Sequence, residues 1–407
     1  MKKGLLQRNR NYRKLWLAKS GSVLGDWFNQ IALGQVTLTM TNSASAMGLV
    51  LLCRSLPTVI IGPFAGPLVD FFSKRTIMMV SDLLRAVFAL LFIMAYLTQA
   101  PSLLYIGALC LGISGILFDP AQQTAISQLV SREDLPEANA LNSTITSIMR
   151  IVGAVAGGVA AAIFSPILCF ALNSVSYLWS AICIYQIKWS ERSATLVHKL
   201  PYWAALKEGI TEVRTNRVAR SIILIGISWG LAGGGYSILI PLLGNSVYHM
   251  GGLGIGLLFA IDGVGLLIGA LLVKQFIGSD HRRANLAYGV AYLTQALFFT
   301  LLTQLTTFEW GAIMLLLMRI SSGVIVPLDT YLLQINTPES VRGRVFTFHY
   351  STYGGVMQLS FAIFGFLFDS LGISAAGAII GLTSFGCGLF WLIQFRHLNI
   401  NKKNPSS

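Results

Sequence analysis

Charge is what this sequence has least of. Only 11% of its 407 residues are Asp, Glu, Lys or Arg, against about one quarter in a soluble domain, while 54% are hydrophobic and the mean hydropathy is +0.68. A soluble core of this length could not bury that much apolar surface, so a water-soluble fold is excluded. Cysteine is scarce too: Cys53, Cys110, Cys169, Cys183 and Cys387 all fall in apolar runs without metal-ligand spacing, which points to packing and indicates no redox compartment. There is no Gly-x-x-x-x-Gly-Lys-Ser/Thr loop, no His-Glu-x-x-His cluster and no segment able to form a nucleotide-binding domain. An ATP-driven pump or a membrane enzyme is thereby set aside, and no catalytic residue, metal ligand or cofactor is expected.

What the chain does have is apolar runs of about 20 residues or more, the length of a membrane-spanning helix rather than of a barrel strand. The expected fold is an all-α membrane protein with twelve transmembrane helices, near residues 15–40, 45–70, 76–97, 101–124, 137–163 and 166–187, then 221–246, 252–274, 284–304, 310–333, 345–369 and 372–395. The first run contains Asp26, Asn29 and Gln30, so it is expected to remain as the first span rather than to act as a cleaved signal. The one long stretch built for water runs from Lys188 to Arg220. It divides the chain into a half at 1–187, a linker at 188–220 and a half at 221–407. Within the linker Tyr202 and Trp203 are expected to anchor an amphipathic segment, with Ala205, Leu206 and Ile210 on one side and Lys207, Glu208 and Arg214 on the other.

A net charge of +13 would suggest nucleic acid in a soluble domain, but here the charges sort by side of the membrane. Of 29 Lys and Arg residues, 25 fall in the connections on the N-terminal side, and the other four, Arg54, Arg85, Arg150 and Arg319, lie within spans. None falls in the opposite connections. Both termini and the linker are therefore expected in the cytoplasm of a multi-pass protein of a bacterial inner membrane, with lipid and no nucleic acid as partner. A weak echo, Pro120, Gln128 and Glu133 recurring as Pro327, Gln334 and Glu339, suggests duplicated halves of the kind found in secondary transporters.

Five intramembrane charges, Asp26, Arg54, Arg150, Asp262 and Arg319, lie deepest in their spans. Unpaired, they would cost roughly 12–18 kcal/mol at about 2.5–3.5 each, so they pair or line a wet cavity. Asp26 and Asp262 are the candidate proton carriers. The competing reading is permanent pairing, Asp26 with Arg54 or Arg150 and Asp262 with Arg319, and the excess of arginine hints at an anionic or zwitterionic group on the substrate. Asp82 and Arg85, at i,i+3, are read as an intrahelical structural pair. Further cavity-lining candidates are Asn29, Gln30, Asn173 and Gln295, with Trp229, Tyr236, Tyr353 and Gln358 in the second half. The glycines at 153, 157 and 158, and at 263, 265 and 269, are expected at close helix contacts. Gly233-Gly234-Gly235 before Pro241 is a possible helix break, open between a kink and a continuous helix.

Certain stretches resemble a known family. Gly66-Pro-Leu-Val-Asp70-Phe-Phe-Ser-Lys74-Arg75 is similar to the Gly-x-x-x-Asp-Arg-x-Gly-Arg-Arg/Lys loop of the major facilitator superfamily, departing at Phe71 and Ser73. Gly153-Ala-Val-Ala-Gly157-Gly158 resembles the superfamily's exporter motif, with Ala154 in place of proline, while the arginine motif of the fourth span is missing. Asp82-Leu-Leu-Arg85, Glu133-Asp134-Leu135, Glu137-Ala-Asn-Ala-Leu-Asn142 and Gly343-Arg344-Val345 resemble the subfamily of macrolide efflux proteins and the enterobactin exporter. The resemblance implies two pseudo-symmetric six-helix halves around a midplane site. From the positions of the charges at the inner ends of the spans, Asp70, Lys74 and Arg75 are expected to form a gating cluster with Arg344, joined by Asp119 and Asp329. The expected function is a monomeric secondary exporter that exchanges an amphipathic small molecule for protons. Proton-coupled uptake or facilitated transport of a nutrient, and a non-transporting sensor or scaffold, are the alternatives.

Overall fold

A computed structural model describes residues 4–189, 211–278 and 280–403; the Tyr202 and Trp203 segment lies outside them, as does the side chain of Asp70. The described residues are overwhelmingly helical. The first six spans are α1 (Arg10–Thr41), α2 (Ala44–Phe71), α3 (Lys74–Thr98), α4 (Ser102–Leu129), α5 (Leu135–Ile163) and α6 (Pro166–Tyr185). The next are α7 (Arg217–Val247), α8 (Gly251–Ile277), α9 (His281–Leu302) and α10 (Phe308–Ile335). A final helical run, Glu339–Lys403, is broken at Gly372 (φ 82°, ψ 168°) into α11 (339–371) and α12 (373–403). Among the described residues ten segments are long and apolar enough to cross a membrane. The last of these holds both α11 and α12, and α1 stands outside the ten because Asp26, Asn29, Gln30 and Gln35 lower its hydropathy, so twelve spans result.

Local chemistry sets the ends. Asn9 accepts from the Tyr12 N–H at the start of α1, Ser43 accepts from Ala46 N–H at the start of α2, and Ser165, followed by Pro166, accepts from Ile167 N–H at the start of α6. These are the caps that helix N-termini need. Asn42 (φ 48°) and Gln99 (φ 53°) end α1 and α3 in left-handed conformations, which allows connections of only a few residues. One span departs from the sequence expectation and a second settles a reading the sequence left open. α4 is interrupted at Ile116 and Leu117 and resumes at Phe118, continuing to Leu129. In α7 the triplet Gly233-Gly234-Gly235 does not break the helix; an added Cβ at Gly234 would lie 2.6 Å from Ser360 Oγ, and one at Gly235 2.8 Å from Phe364. The irregularity comes later, as a π-helical turn Leu243–Val247 after Pro241.

The chain forms two compact units. One contains Met1–His198 together with Ile240–Ala260, the other Lys199–Leu239 with Ile261–Ser407. In the first, the glycines of α5 permit backbone-level packing: a Cβ at Gly153 would stand 2.8 Å from Trp27, and one at Gly158 2.9 Å from the Gly252 carbonyl. In the second, Gly265 lies under Arg319, where a Cβ would stand 2.6 Å from the arginine's own. Each unit has its own apolar cluster, around Tyr12, Met78, Phe118 and Ile184 in one and around Tyr288, Leu332, Val345 and Trp391 in the other.

Polarity is inverted relative to a soluble protein. Leu97, Ile163, Phe366 and Leu382 are 65–69% exposed, whereas Asp82, Asp262, Asn29 and Asn173 are fully buried. Lipid accepts the first group at no cost and would penalise the second.

Candidate functional site

The first unit contains a cavity of about 220 Å³ bordered by Lys19, Asp26, Arg54, Arg85, Asp119 and Tyr177. Asp26 lies on its wall. Arg54 from α2 stands 3.6 Å from one carboxylate oxygen, and the Tyr177 hydroxyl of α6 donates to the same oxygen at 2.6 Å. Arg54 also donates to Gln30 Oε1 at 3.2 Å, one turn along α1. Of the two arginines open to Asp26 from sequence, the helix arrangement thus selects Arg54. Arg150 on α5 lies with its guanidinium 5.8 Å from the Trp27 ring.

The second unit repeats this chemistry with different residues. Asp262 of α8, fully buried, forms an ion pair with Arg319 of α10 and accepts a hydrogen bond from Tyr236 of α7 at 2.5 Å. The Arg319 guanidinium lies 4.7 Å over the Tyr236 ring and donates to Ser322 at 3.4 Å. Ser322 donates to Gln295 Oε1 at 2.7 Å, Gln295 to Ser384 at 3.2 Å, and Ser384 to the Tyr292 carbonyl at 2.9 Å. The arginine is therefore held at the end of a buried hydrogen-bond chain that crosses α10, α9 and α12. In both units one carboxylate is clamped between one arginine and one tyrosine.

The other expected residues distribute as follows. Asn29 and Asn173 are fully buried and are not among the residues bordering the first unit's cavity. Trp229 packs edge-on to Tyr292 at 6.3 Å, and the Tyr353 hydroxyl lies 3.7 Å from the position of a Cβ added at Gly233. Gln358 is nearly buried and donates to the Gly354 carbonyl on its own helix. Among the expected gating residues, Lys74 donates to the Val69 and Phe72 carbonyls at the end of α2. Arg75 donates to the Tyr185 carbonyl at 2.6 Å and covers the Tyr185 ring. Asp119 is largely exposed, 3.8 Å from Lys19, whose ammonium donates to Gln122 at 2.9 Å. Asp329 accepts from the Tyr288 hydroxyl at 2.6 Å and meets His349 Nε2 at 3.0 Å. Arg344 and Asp70 belong to different units.

Sequence reasoning missed Tyr177, Lys19 and His349 as site residues. A tyrosine or histidine in an apolar span is usually a packing residue, and only the neighbouring helix shows which carboxylate it faces. The subfamily stretch Asp134 to Asn142 also gains a structural reason. Glu137 accepts the Leu5 backbone N–H at 2.8 Å, Arg8 bonds Asp134 at 2.7 Å and Glu137 at 2.9 Å, and the Ala138 and Leu141 carbonyls accept from Tyr12 and Trp16. It docks the amino-terminal segment.

With twelve spans and an arginine–carboxylate pair among the helices of each unit, the chain has the build of a transporter. The family described as "Transmembrane secretion effector" matches residues 6–406. The chain belongs to this family. It is a transporter of the major facilitator superfamily, and the family and its relatives are membrane transporters rather than enzymes. Among similar curated proteins, BacE of Bacillus subtilis (strain 168), assigned to bacilysin export, is 29% identical over 351 residues, covering 84% of this chain and 83% of the relative. The multidrug efflux pump Tap of Mycolicibacterium fortuitum is 25% identical over 397 residues, covering 93% and 95%. Among solved structures, a point variant of the nucleoside transporter NupG superposes with a TM-score of 0.78 at 11% identity, covering 95% of this chain and all of that one. At that identity the likeness concerns the fold alone.

Proposed function

We propose that this transporter exports an amphipathic small molecule, drug-like or siderophore-like, in exchange for protons, by alternating access of its two halves. The observation that carries the reading is the Asp26 site: an ionisable carboxylate at membrane depth, bordering a cavity, with one arginine at 3.6 Å and one tyrosine hydroxyl at 2.6 Å. Such a group can exchange a proton with cavity water, and the change of charge alters its hold on Arg54 and hence the cavity's affinity for a charged substrate. Asp262 with Arg319 and Tyr236 is the matching site in the second half. Gln30, Arg150, Asn29, Asn173, Trp229, Tyr353 and Gln358 belong to the substrate path in this reading. Asp70, Lys74, Arg75, Asp119, Asp329 and Arg344 act in closure. Residues 188–220 serve as a cytoplasmic tether between halves 1–187 and 221–407, both termini lie in the cytoplasm, and the protein works as a monomer in a bacterial inner membrane. Relatives assigned to bacilysin export and multidrug efflux support the outward direction.

The test uses purified protein in liposomes. A panel of siderophores, macrolides and lipophilic cations is first screened by thermal stabilisation, since a ligand that binds only the folded state raises the unfolding midpoint. The hit is then followed across the bilayer under an imposed pH gradient. Export against its own gradient, lost in Asp26→Asn, is expected. Uphill transport that persists in Asp26→Asn refutes the role of Asp26, and accumulation in the same direction as proton flow refutes antiport.

A further inference from the structure

Asp82 in α3 takes no part in the scheme above, yet its surroundings suit a proton better than a permanent charge. Its side chain is fully buried, and neither carboxylate oxygen has a hydrogen-bond partner among the described residues. The cation on its own helix, Arg85, meets it at 3.6 Å. That guanidinium is committed elsewhere: it donates to the Gly115 carbonyl at 3.2 Å and lies over the rings of Phe118 (4.4 Å) and Tyr177 (5.6 Å). Arg85, Phe118 and Tyr177 all border the cavity that holds Asp26.

The groups that neighbouring helices offer do little to compensate a charge here. From α6 the buried Ser180 hydroxyl is the nearby donor that favours the charged form, while the Tyr177 hydroxyl already serves Asp26. From α4, Ser114 turns its hydroxyl to the Cys110 and Leu111 carbonyls. From α1 comes Asp26, a second negative charge. A dry carboxylate with one long ion contact and a single serine hydroxyl nearby is a costly anion, while the neutral acid gives up far less on leaving water.

We propose that Asp82 is a proton-binding site of the transport cycle, holding its proton in this conformation and acting on the cavity through Arg85. Asp82 does not itself border the cavity, so it loses its proton when a change of conformation admits water past Arg85. Its new negative charge then competes with the Gly115 carbonyl for the guanidinium and draws Arg85 out of the cavity wall. When it regains the proton, Arg85 returns to the wall beside Arg54. Asp82 is thus a positioning residue, one step removed from substrate, and it gives the first half a second proton next to that of Asp26. The inference rests on the proton-coupled reading for its place in the cycle, but the proton itself can be detected without any substrate.

The experiment is infrared difference spectroscopy on the full-length protein in lipid, switched between acidic and alkaline buffer. The expected result is a protonated-carboxyl C=O band that is present in the parent and in Asp26→Asn but missing in Asp82→Asn. A spectrum in which Asp82→Asn removes no carboxyl band overturns the proposal, whatever becomes of transport by Asp26. Thermal unfolding of Asp82→Asn, Arg85→Gln and the double variant gives a second readout. For a neutral Asp82, Asp82→Asn melts within about 2 °C of the parent and the two shifts add. If Asp82→Asn melts far lower and Arg85→Gln restores it, the pair is a permanent salt bridge and the proposal fails.

Discussion

Replacing Arg319 with methionine should be among the more costly single changes in the second unit. The Asp262 side chain is fully buried and that of Arg319 is 12% exposed, so the pair meets with little help from water. Removing one partner of a buried pair costs about 3–5 kcal/mol, because the other charge is left uncompensated. Loss of the guanidinium from the Tyr236 ring adds about 0.5–2 kcal/mol. The Tyr236 hydroxyl keeps its bond to the carboxylate in the variant, so that contact leaves the difference unchanged. The expected loss is about 3.5–7 kcal/mol, measured by equilibrium unfolding in mixed detergent. Asp262→Asn in the same chain should recover all but about 1 kcal/mol, since the amide leaves no charge behind and still accepts from Tyr236. A single variant within about 1 kcal/mol of the parent, or a double variant that costs the sum of the two singles, would refute the reasoning.

Other expectations follow from specific contacts. Gly158→Val drives a side chain into the Gly252 carbonyl and Gly256 Cα, so it should destabilise the first unit by about 1–3 kcal/mol, read as a lower unfolding midpoint. Tyr12→Phe removes the buried 2.7 Å bond to the Ala138 carbonyl and should cost about 1 kcal/mol in the same assay. At the start of α9 the backbone N–H groups of Arg283 and Arg282 hold the Asp280 carboxyl below its usual range. Because its pKa is lowered in the folded state, the stabilisation is present at neutral pH and is lost as pH falls below roughly 4. Protection factors at residues 281–285, taken as exchange relative to the intrinsic rate at each pH, should therefore fall in acid in the parent and much less in Asp280→Asn, which keeps a capping oxygen without the titration.

The fold was largely legible because its cause is local. A backbone in lipid must satisfy its own hydrogen bonds, so every apolar run long enough to cross has to be a helix, and turn residues such as Asn42, Gln99 and Ser165 mark the ends of runs. The break in α4 was not legible, since Ile116 and Leu117 have nothing in their chemistry that stops a helix. Nor was the continuity of α7 through three glycines, which depends on Ser360 and Phe364 arriving close against it.

The candidate site divides along the same line. Hydropathy alone determined that Asp26, Arg54, Asp262 and Arg319 sit at membrane depth and cannot face lipid, because the energetic penalty on a charge in hydrocarbon depends on its depth and not on its neighbours. Tertiary structure decided who meets whom: Asp26 with Arg54 and Tyr177, Asp262 with Arg319 and Tyr236, Asp329 with Tyr288 and His349. It also left Asp82 beside an arginine that is turned to another carbonyl. Those pairings are fixed by helix rotation and by rotamers within a hydrogen bond's length. No periodicity in the sequence encodes distances that fine across helices tens of residues apart.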